Sequence, residues 1–422
     1  MELVARRGYA HARVGDLASA AGVSRATFYE QFRNKEDCFL AAHDELSERL
    51  LAEAATALAG EHHEHPIRHM VGMLAELAAR QPQQFSFLTY EALLAGPEAL
   101  DRRERLIATL AEQLESALSE PKGTDCALQV PAWILLGGLV RVLGICMRRE
   151  QPATRALAAE LTLWIDAYRV PSDGKRSRRV VLATRPLDIG QPGSPGLLAP
   201  RPLPRGRHRL PGAVVKRVQR ERILHATAEV IKAKGYPSTT VADIVATAGV
   251  SREVFYSHFR GRSAAFTETH QLVFEQMMAA TAGAFFASTG PWPEQVWQSA
   301  RASTRFVLDA PSFAHFAFVE SYALGASVAR RTDEAALAFT ALLAKGYAQR
   351  PEAAELPESI SEAIVGAIME AVAFHIRHGR AEELIDLLPV LTYLILAPFL
   401  GARAASEFVA GKRRELETST PR

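Results

Sequence analysis

Cysteine is scarce in this sequence, and the cysteines it has lie far apart. The 422 residues include three, Cys38, Cys126 and Cys146, and none forms a C-x-x-C pair. A disulfide scaffold and a cysteine-based zinc site are therefore excluded, and the pattern fits a reducing compartment. We expect all three to be small buried side chains.

An excess of charge of one sign is also missing. Forty-nine Lys and Arg stand against 47 Asp and Glu, a formal net charge of +2. Bulk charge therefore does not indicate a nucleic-acid-binding protein, and any electrostatic footprint of that kind must be local.

Long hydrophobic runs are absent too. The most apolar run, Leu387 to Ala402, contains two prolines and falls short of the roughly 20 residues that a spanning helix needs. The first residues, MELVARRG, place arginines where a signal peptide would begin its apolar stretch. We expect a buried or interface helix at 387–402 and a soluble cytoplasmic protein, associated with the nucleoid and not with a membrane.

Catalytic motifs are missing as well. The sequence has no nucleophile elbow, no phosphate-binding glycine loop and no HExxH, so we predict no enzyme, no catalytic residue and no cofactor. A cluster of histidines and glutamates could suggest a metal site, but adjacent histidines point in different directions. We interpret it as a solvated loop and predict no metal ligand among Glu61, His62, His63, Glu64, His65 and His69.

What the sequence does contain is a duplication. AGVSRATFYEQF at 21–32 returns as AGVSREVFYSHF at 248–259, and 14 of the 32 positions from Gly8 to Phe39 are identical at an offset of 227. Sparser matches continue at an offset of 229, among them Gly137 with Gly366. The constant offset indicates that a whole unit was duplicated.

A segment rich in proline, glycine and arginine separates the two copies. Apolar spacing in both copies is helical, and alternation of period two is scarce. We therefore predict an all-α protein of two tandem units. The expected parts are a first N-terminal helical domain, here called a head, whose first helix is short (1–48), a first helical body (49–169), a basic linker (170–212), a second head (213–275), a second helical body (276–406) and a tail (407–422).

The repeated phrase predicts a helix-turn-helix. In the second copy, Gly235 ends a helix from Gln219, Thr239 or Thr240 caps the next helix, Gly249 makes a sharp turn, and Ser251 caps a third helix. Phe255 and Phe259 are four residues apart and face the core, which turns Arg252, Glu253, Tyr256 and His258 outward. The first copy has Phe28 and Phe32 inward and Arg25, Ala26, Tyr29 and Gln31 outward. Arginine can bind guanine edges, and tyrosine can donate to phosphate.

These two stretches, AGVSRATFYEQFRNKEDCF and AGVSREVFYSHFRGRSAAF, resemble the DNA-binding signature of TetR-type transcriptional regulators. The resemblance implies a three-helix DNA-binding domain before a helical domain that dimerises and binds a small molecule, in a repressor that releases DNA when the ligand binds. By position it implies DNA contacts at Ser24, Arg25, Ala26, Thr27, Tyr29, Gln31 and Lys35, and at Thr240, Ser251, Arg252, Glu253, Val254, Tyr256, His258 and Arg262.

The chain departs from that pattern in two ways. It carries two DNA-binding domains with different outward faces, so we hypothesise an intrachain pseudo-dimer on two non-identical half-sites, which could also pair into a homodimer. In addition, Met1 aligns with Ala228, so that 219–227 has no counterpart in the first copy. Either the start lies upstream or the first domain is damaged. The second domain has nine Lys and Arg against four acids over 213–263, and we expect it to contribute most of the affinity.

The regulatory domains are less informative. Aromatic residues at helical spacing could line an apolar effector pocket, although plain core is the commoner explanation. The candidates are Phe87, Glu91, Phe316, Glu320 and Tyr322, with Phe85, Tyr90, Trp133, Phe313 and Phe318 near them. We expect Leu387–Ala402 to pair with Leu161–Tyr168. An interaction protein that kept the helix-turn-helix and lost DNA binding is the alternative.

Overall fold

A computed structural model describes residues 1–59, 65–119, 126–149, 154–171, 210–322 and 326–418. Most of the predicted linker and the histidine-rich residues 61–64 lie outside the described residues. In the described part the protein is helical, which confirms the predicted all-α class. The exception is a ribbon of two three-residue strands, β1 (Cys126–Leu128) and β2 (Arg169–Pro171), which pair antiparallel with Ala127 opposite Val170. Strands this short leave no alternation to detect in a sequence.

The first copy contains ten α-helices in its described residues. A 3-10 turn (Tyr9–His11) follows the first helix, and a π-helical turn (Phe87–Glu91) follows the sixth. The helices are α1 (Glu2–Arg7), α2 (Val14–Ala20), α3 (Arg25–Gln31), α4 (Lys35–Ala59), α5 (Pro66–Arg80), α6 (Pro82–Ser86), α7 (Ala92–Leu94), α8 (Pro97–Ser119), α9 (Ala132–Arg148) and α10 (Arg155–Asp166).

The second copy contains eleven α-helices in its described residues. Short 3-10 segments lie at Glu320–Tyr322, Ala338–Ala348 and Ala381–Glu383. The helices are α11 (Gly212–Ser238), α12 (Val241–Ala248), α13 (Arg252–His258), α14 (Arg262–Ala287), α15 (Trp292–Asp309), α16 (Pro311–Phe318), α17 (Ala326–Leu337), α18 (Pro351–Ala354), α19 (Ser359–Arg377), α20 (Leu384–Leu400) and α21 (Ala402–Thr418). Residues up to Thr418 in the predicted tail are thus helical.

The compact units of the fold do not coincide with the two copies. One unit comprises the described residues of Met1–Thr184, Gly325–Ala371 and Pro389–Arg414. The other comprises those of Arg185–Leu324, Val372–Leu388 and Glu415–Arg422. Helical segments from the end of the second copy therefore pack with the first copy, while the domain boundaries given above stay predictions.

In the first unit, α4 packs on α5 and α8, and α5 packs on α9 and α10. Helix α9 is buried on every side, with Leu135, Leu136 and Leu143 fully inaccessible to solvent, as expected for a helix that is apolar all round. In the second unit, α14 packs on α15, and α11 packs on α12, α14 and α16.

Two helical segments, Ser359–Arg377 and Ala381–Leu400, are long and apolar enough to cross a membrane by length and composition alone. Within the protein, 61% and 78% of their apolar windows are buried, and core helices of soluble proteins pass the same test. The predicted pairing of 387–402 with 161–168 is confirmed, because the Tyr168 hydroxyl donates to the Leu394 carbonyl at 2.8 Å.

Candidate nucleic-acid interface

The helix-turn-helix of the second head is built by local caps. Gly235 breaks α11 with φ 74°, and Gly249 ends α12 in the left-handed conformation at φ 64°, ψ 40°. Thr240 and Asp243 form a capping box at the start of α12. The Ser251 hydroxyl accepts from the Val254 N–H at 3.2 Å and starts α13. Each of these helix ends thus carries the residue type that its backbone conformation favours, glycine at positive φ and threonine or serine at the N-cap.

A compact apolar core holds α13 in place. Phe255 and Phe259 are 0% and 2% exposed, and their rings lie 5.6 Å apart. They pack in one cluster with Ile223 and Leu224 of α11 and Ile244 of α12. The buried Phe pair thus fixes which face of α13 points away from the protein.

The opposite face of α13 is exposed. Arg252 and Glu253 are solvent-accessible, and Tyr256 is 57% exposed. His258 differs from the outward orientation we expected, because it is half-buried. Burial, Arg220 and Lys216 together lower the pKa of its imidazole. Lys216 and Arg220 are themselves exposed, and Arg220 pairs with Glu268.

The first head (residues 1–48) repeats the turn and the cap. Gly22 has φ 69°, and the Ser24 hydroxyl accepts from the Thr27 N–H at 3.0 Å. Phe28 is 5% exposed and lies 5.4 Å from Phe32. Tyr29 is 56% exposed, nearly the same as its counterpart in the second head. The outward residues of α3 are exposed as expected, namely Arg25, Ala26, Tyr29, Glu30 and Gln31.

The two heads differ in how well the Phe pair behind the recognition helix, α3 or α13, is buried. Phe32 is half-buried, whereas its counterpart Phe259 is fully buried. In the second head, Ile223 and Leu224 pack in the cluster that holds Phe259. Among the described residues, the Phe pair of the first head is therefore covered by less apolar surface than the Phe pair of the second.

Lys35 and Arg262, which we predicted as DNA contacts, make the same intramolecular contact in both heads. The Lys35 ammonium donates to the Tyr9 carbonyl at 2.8 Å and lies 4.0 Å from the Tyr9 ring centre. The Arg262 guanidinium donates to the Tyr236 carbonyl at 3.2 Å and lies 4.6 Å from that ring centre. Both cations hold the entry to the second helix of their head, and their contact with DNA stays a prediction.

An ion pair that we had not singled out also recurs. Arg7 lies 3.5 Å from Asp16, and Lys234 pairs with Asp243 at the equivalent positions. Hydrogen bonds from Lys234 and Thr240 lower the pKa of the Asp243 carboxyl to about 2. The sequence shows that Asp16 and Asp243 are the same residue type at matched positions. Their cationic partners are harder to recognise, because one is an arginine and the other a lysine, and each lies nine residues earlier in the sequence.

Glu91 and Glu320, which we predicted as pocket residues, connect each head to its helical body. The Glu91 carboxylate accepts from the Tyr9 backbone N–H at 2.7 Å, and Glu320 accepts from Tyr236 at 3.2 Å. Glu91 closes the π-helical turn and is 4% exposed. Burial raises the pKa of the Glu91 carboxyl to about 7, although the Tyr9 hydrogen bond acts in the opposite direction.

The predicted pocket aromatics sit at the same junction. Phe87 packs on Phe39 with ring centres 4.4 Å apart, and Phe316 packs on Phe266 at 4.2 Å. Tyr322 is 4% exposed. These contacts give Phe87 and Phe316 a packing role, and an effector contact at any of them stays a prediction.

Two cavities in the first unit offer other places for a small molecule. One, of about 200 Å³, is lined by Phe85, Tyr90, Met147 and Arg148 among others. The second, of about 530 Å³, is a groove between α5 and α10 lined by Arg68, Glu76, Arg80 and Arg155 among others. Only Phe85 and Tyr90 belong to the predicted aromatic set, and Phe87 and Glu91 line neither of these two cavities. Among the described residues, no group of three or more His, Cys, Asp or Glu could hold a metal ion.

Comparison with known proteins identifies the two heads. Residues 1–42 and 223–268 each match the model of the family described as bacterial regulatory proteins, tetR family. The predicted resemblance of both heads to this family, in tandem form, is thereby confirmed. No curated protein matches the chain.

Solved structures of bacterial regulators are similar to parts of the chain. They include the fatty acid degradation regulator FadR from Bacillus halodurans (19% identity over 42% of this chain and 94% of that one, TM-score 0.39). A putative TetR-family regulator from Syntrophomonas wolfei is 15% identical over 42% and 95%, with TM-score 0.35. A TetR-like regulator from Rhodococcus sp. RHA1 is 24% identical over 44% and 97%, with TM-score 0.33. Because these TM-scores are all below 0.5, the resemblance to the tetR family rests on the two heads and not on these structures.

Proposed function

We propose that this chain, whose two heads are TetR-family DNA-binding domains, is a transcriptional regulator that reads two half-sites of one operator. The observation that carries this proposal is the repeated recognition helix. Phe28 and Phe255 are buried alike, and Tyr29 and Tyr256 are 56% and 57% exposed. A helix anchored in this way presents its outer face to the major groove.

The two outer faces favour different bases. Arg25 and Arg252 are both exposed and can bind guanine edges through two hydrogen bonds. Ala26 in the first head corresponds to Glu253 in the second, whose carboxylate can accept from a cytosine amino group. Half-sites of different sequence therefore suit this chain better than a perfect palindrome.

The second head contributes most of the affinity in this proposal. Its exposed cations include Lys216, Arg217 and Arg220 at the start of α11, and phosphate contacts supply a large part of DNA affinity. In the first head, Phe32 of the Phe pair behind the recognition helix is only half-buried, whereas Phe259 in the second head is buried.

We further infer that the chain acts in the cytoplasm as a repressor that a small apolar molecule releases. The cavity beside Phe85 and Tyr90 supports this, because it shares α6 and the π-helical turn with the Glu91 junction. At about 200 Å³ it is below the 300–1,000 Å³ typical of drug-sized ligands. It suits a small effector.

Selection of binding sites from randomised duplex DNA with the intact chain tests the function. We expect two unlike half-sites at a fixed spacing, with affinity that falls steeply as salt rises. Enrichment of perfect palindromes alone would contradict the asymmetric operator. Failure to enrich any sequence, with binding insensitive to salt, would favour the alternative of an interaction protein that keeps the helix-turn-helix only as structure.

A further inference from the structure

Helices α9 and α19 hold equivalent positions in the two copies and pack against each other at small residues. Gly137 corresponds to Gly366, and Gly138 to Ala367. A Cβ on Gly138 would lie 2.8 Å from both the Ala363 carbonyl oxygen and the Ala367 Cβ. A Cβ on Gly366 would lie 3.4 Å from the Gly138 oxygen. Equivalent positions thus meet, which is the geometry of a local twofold axis inside one chain.

One turn further along, the equivalent residues carry opposite charges. Arg141 and Glu370 are 229 positions apart, the offset that relates the copies, and their Nη1 and Oε1 atoms are 2.9 Å apart. In a homodimer with a true twofold axis, this position of one copy would face the same residue of the other copy. Here the duplication has an arginine on one side and a glutamate on the other.

Neighbouring charges are divided between the copies in the same way. Arg103 of α8 makes two hydrogen bonds to Glu370, at 2.9 and 3.0 Å. Asp333 of α17 lies 3.6 Å from Arg141 and also pairs with Arg148. All three arginines belong to the first copy and both acids to the second. The central charges are buried, since Arg103, Arg141 and Asp333 side chains are 4%, 8% and 6% exposed.

Burial alone would raise the pKa of the Glu370 carboxyl, but attraction to Arg103 and Arg141 outweighs it, and the pKa is lowered. The cluster is therefore charged in the native pairing, and removal of either sign would leave the other buried without compensation.

We propose that this charge division makes the interface specific for one first copy with one second copy. This proposal explains how the pseudo-dimer of the proposed function would pair its two copies, and it rests on that function. Two first copies paired in the same geometry would bring Arg103 and Arg141 against each other. Two second copies would bring Glu370 against Glu370 and Asp333. Like charges at a buried contact exclude the wrong partner.

The test uses the full chain with a protease site inserted within 172–209, cut after folding. Native mass spectrometry without DNA should then find the two pieces in 1:1 complexes, in excess over either homodimer by at least about a hundredfold. Homodimers of either piece, or free monomers alone, would overturn the proposal.

A reversal variant distinguishes charge specificity from general packing. In the cut Glu370→Arg protein, the new side chain would repel Arg103 and Arg141, and in a pair of C-terminal pieces it would face the same altered residue. We expect 1:1 complexes to be lost and the two pieces to separate without forming homodimers, because every pairing then brings like charges together. Glu407→Arg, at a carboxylate whose side chain is 67% exposed, is the matched control and should leave 1:1 complexes intact. Persistence of 1:1 complexes in Glu370→Arg would refute the role of the charges.

The outcome is independent of DNA binding. If the pieces remain 1:1 but the intact chain selects no operator, the regulator function fails and the pairing stands. If the chain binds an operator but its pieces form homodimers, the pairing fails and the function stands.

Discussion

The Tyr9 backbone N–H and the Glu91 carboxylate are joined by a 2.7 Å hydrogen bond between the first head and its helical body, and Tyr236 and Glu320 repeat the bond at 3.2 Å. The tyrosine in each pair follows the glycine that ends the first helix of the head, Gly8 or Gly235. A shift of either glutamate would therefore act directly on the segment that orients the second helix. This bond is a short physical route between each helical body and the recognition helix of its head.

The first prediction concerns pH. The Glu91 pKa is raised from 4.5 to about 7 by burial. Between these two pH values, the folded protein therefore keeps the Glu91 carboxyl protonated, whereas the unfolded chain has lost that proton. Stability should fall as pH rises through that range, by at most about 3 kcal/mol. Urea unfolding at a series of pH values should show this slope, and Glu91→Gln should flatten it while it keeps an acceptor for Tyr9. An unchanged slope in the variant would contradict the assignment. Glu407→Gln serves as the exposed control.

The second prediction compares the Phe pairs of the heads. Phe259 is buried in a complete cluster, so Phe259→Ala should cost about 3–5 kcal/mol in local stability. Phe32→Ala should cost roughly half as much, because Phe32 is already half-buried. Hydrogen exchange of the amides in α13 and α3 measures each head separately. Equal losses in the two heads would show that the first core is as well covered as the second.

The third prediction concerns DNA affinity. Arg252→Ala should weaken operator binding by about tenfold or more, and Arg25→Ala should weaken it less. Lys35 and Arg262 are poor choices for this test, because each also holds backbone carbonyls of its own head. Fluorescence anisotropy at two salt concentrations gives both affinity and salt slope. Arg403→Ala, at a side chain 93% exposed on α21, is the control, and a greater loss in Arg25→Ala would reverse the proposed order.

The fourth prediction concerns the α9–α19 crossing. Gly138→Ala places a Cβ 2.8 Å from a backbone oxygen, so the helices must separate, at a cost of about 1–3 kcal/mol. Gly72→Ala in α5 meets nothing within 4 Å and should stabilise its helix by about 0.5–1 kcal/mol. Thermal unfolding of the two variants should shift in opposite directions. A shift in the same direction would mean that the crossing is not tight.

Local signals in the second head were strong enough to predict it closely. A helix between a Thr239 or Thr240 cap and the Gly249 turn was predicted and is observed as α12, and Ser251 and the Phe pair have the expected roles. Caps, positive-φ glycines and i, i+4 apolar pairs depend on neighbours in sequence, so they can be read without the fold. His258 is the exception, since it is half-buried and its pKa is lowered by burial and by the charges of Arg220 and Lys216, some forty residues away.

For the two helical bodies, the sequence predicted the helical class and the pairing of 387–402 with 161–168, but few individual contacts. Glu91 and Glu320 were recognised as matched positions, but nothing local shows that each accepts a bond from a backbone amide more than 80 residues earlier. The same limit applies to Arg141 and Glu370, whose opposite charges at matched positions are visible in the alignment of the copies. Their contact across the interface is not.

The sequence by itself determined the duplication, the helical class and the design of both recognition helices, because each depends on residue type and short spacing. Only the tertiary structure decided that the compact units cut across the two copies, and that three arginines of one copy meet two acids of the other. Such contacts depend on helix packing over more than 180 residues of chain, and burial decides whether a charge found there is a solvated surface group or a determinant of pairing.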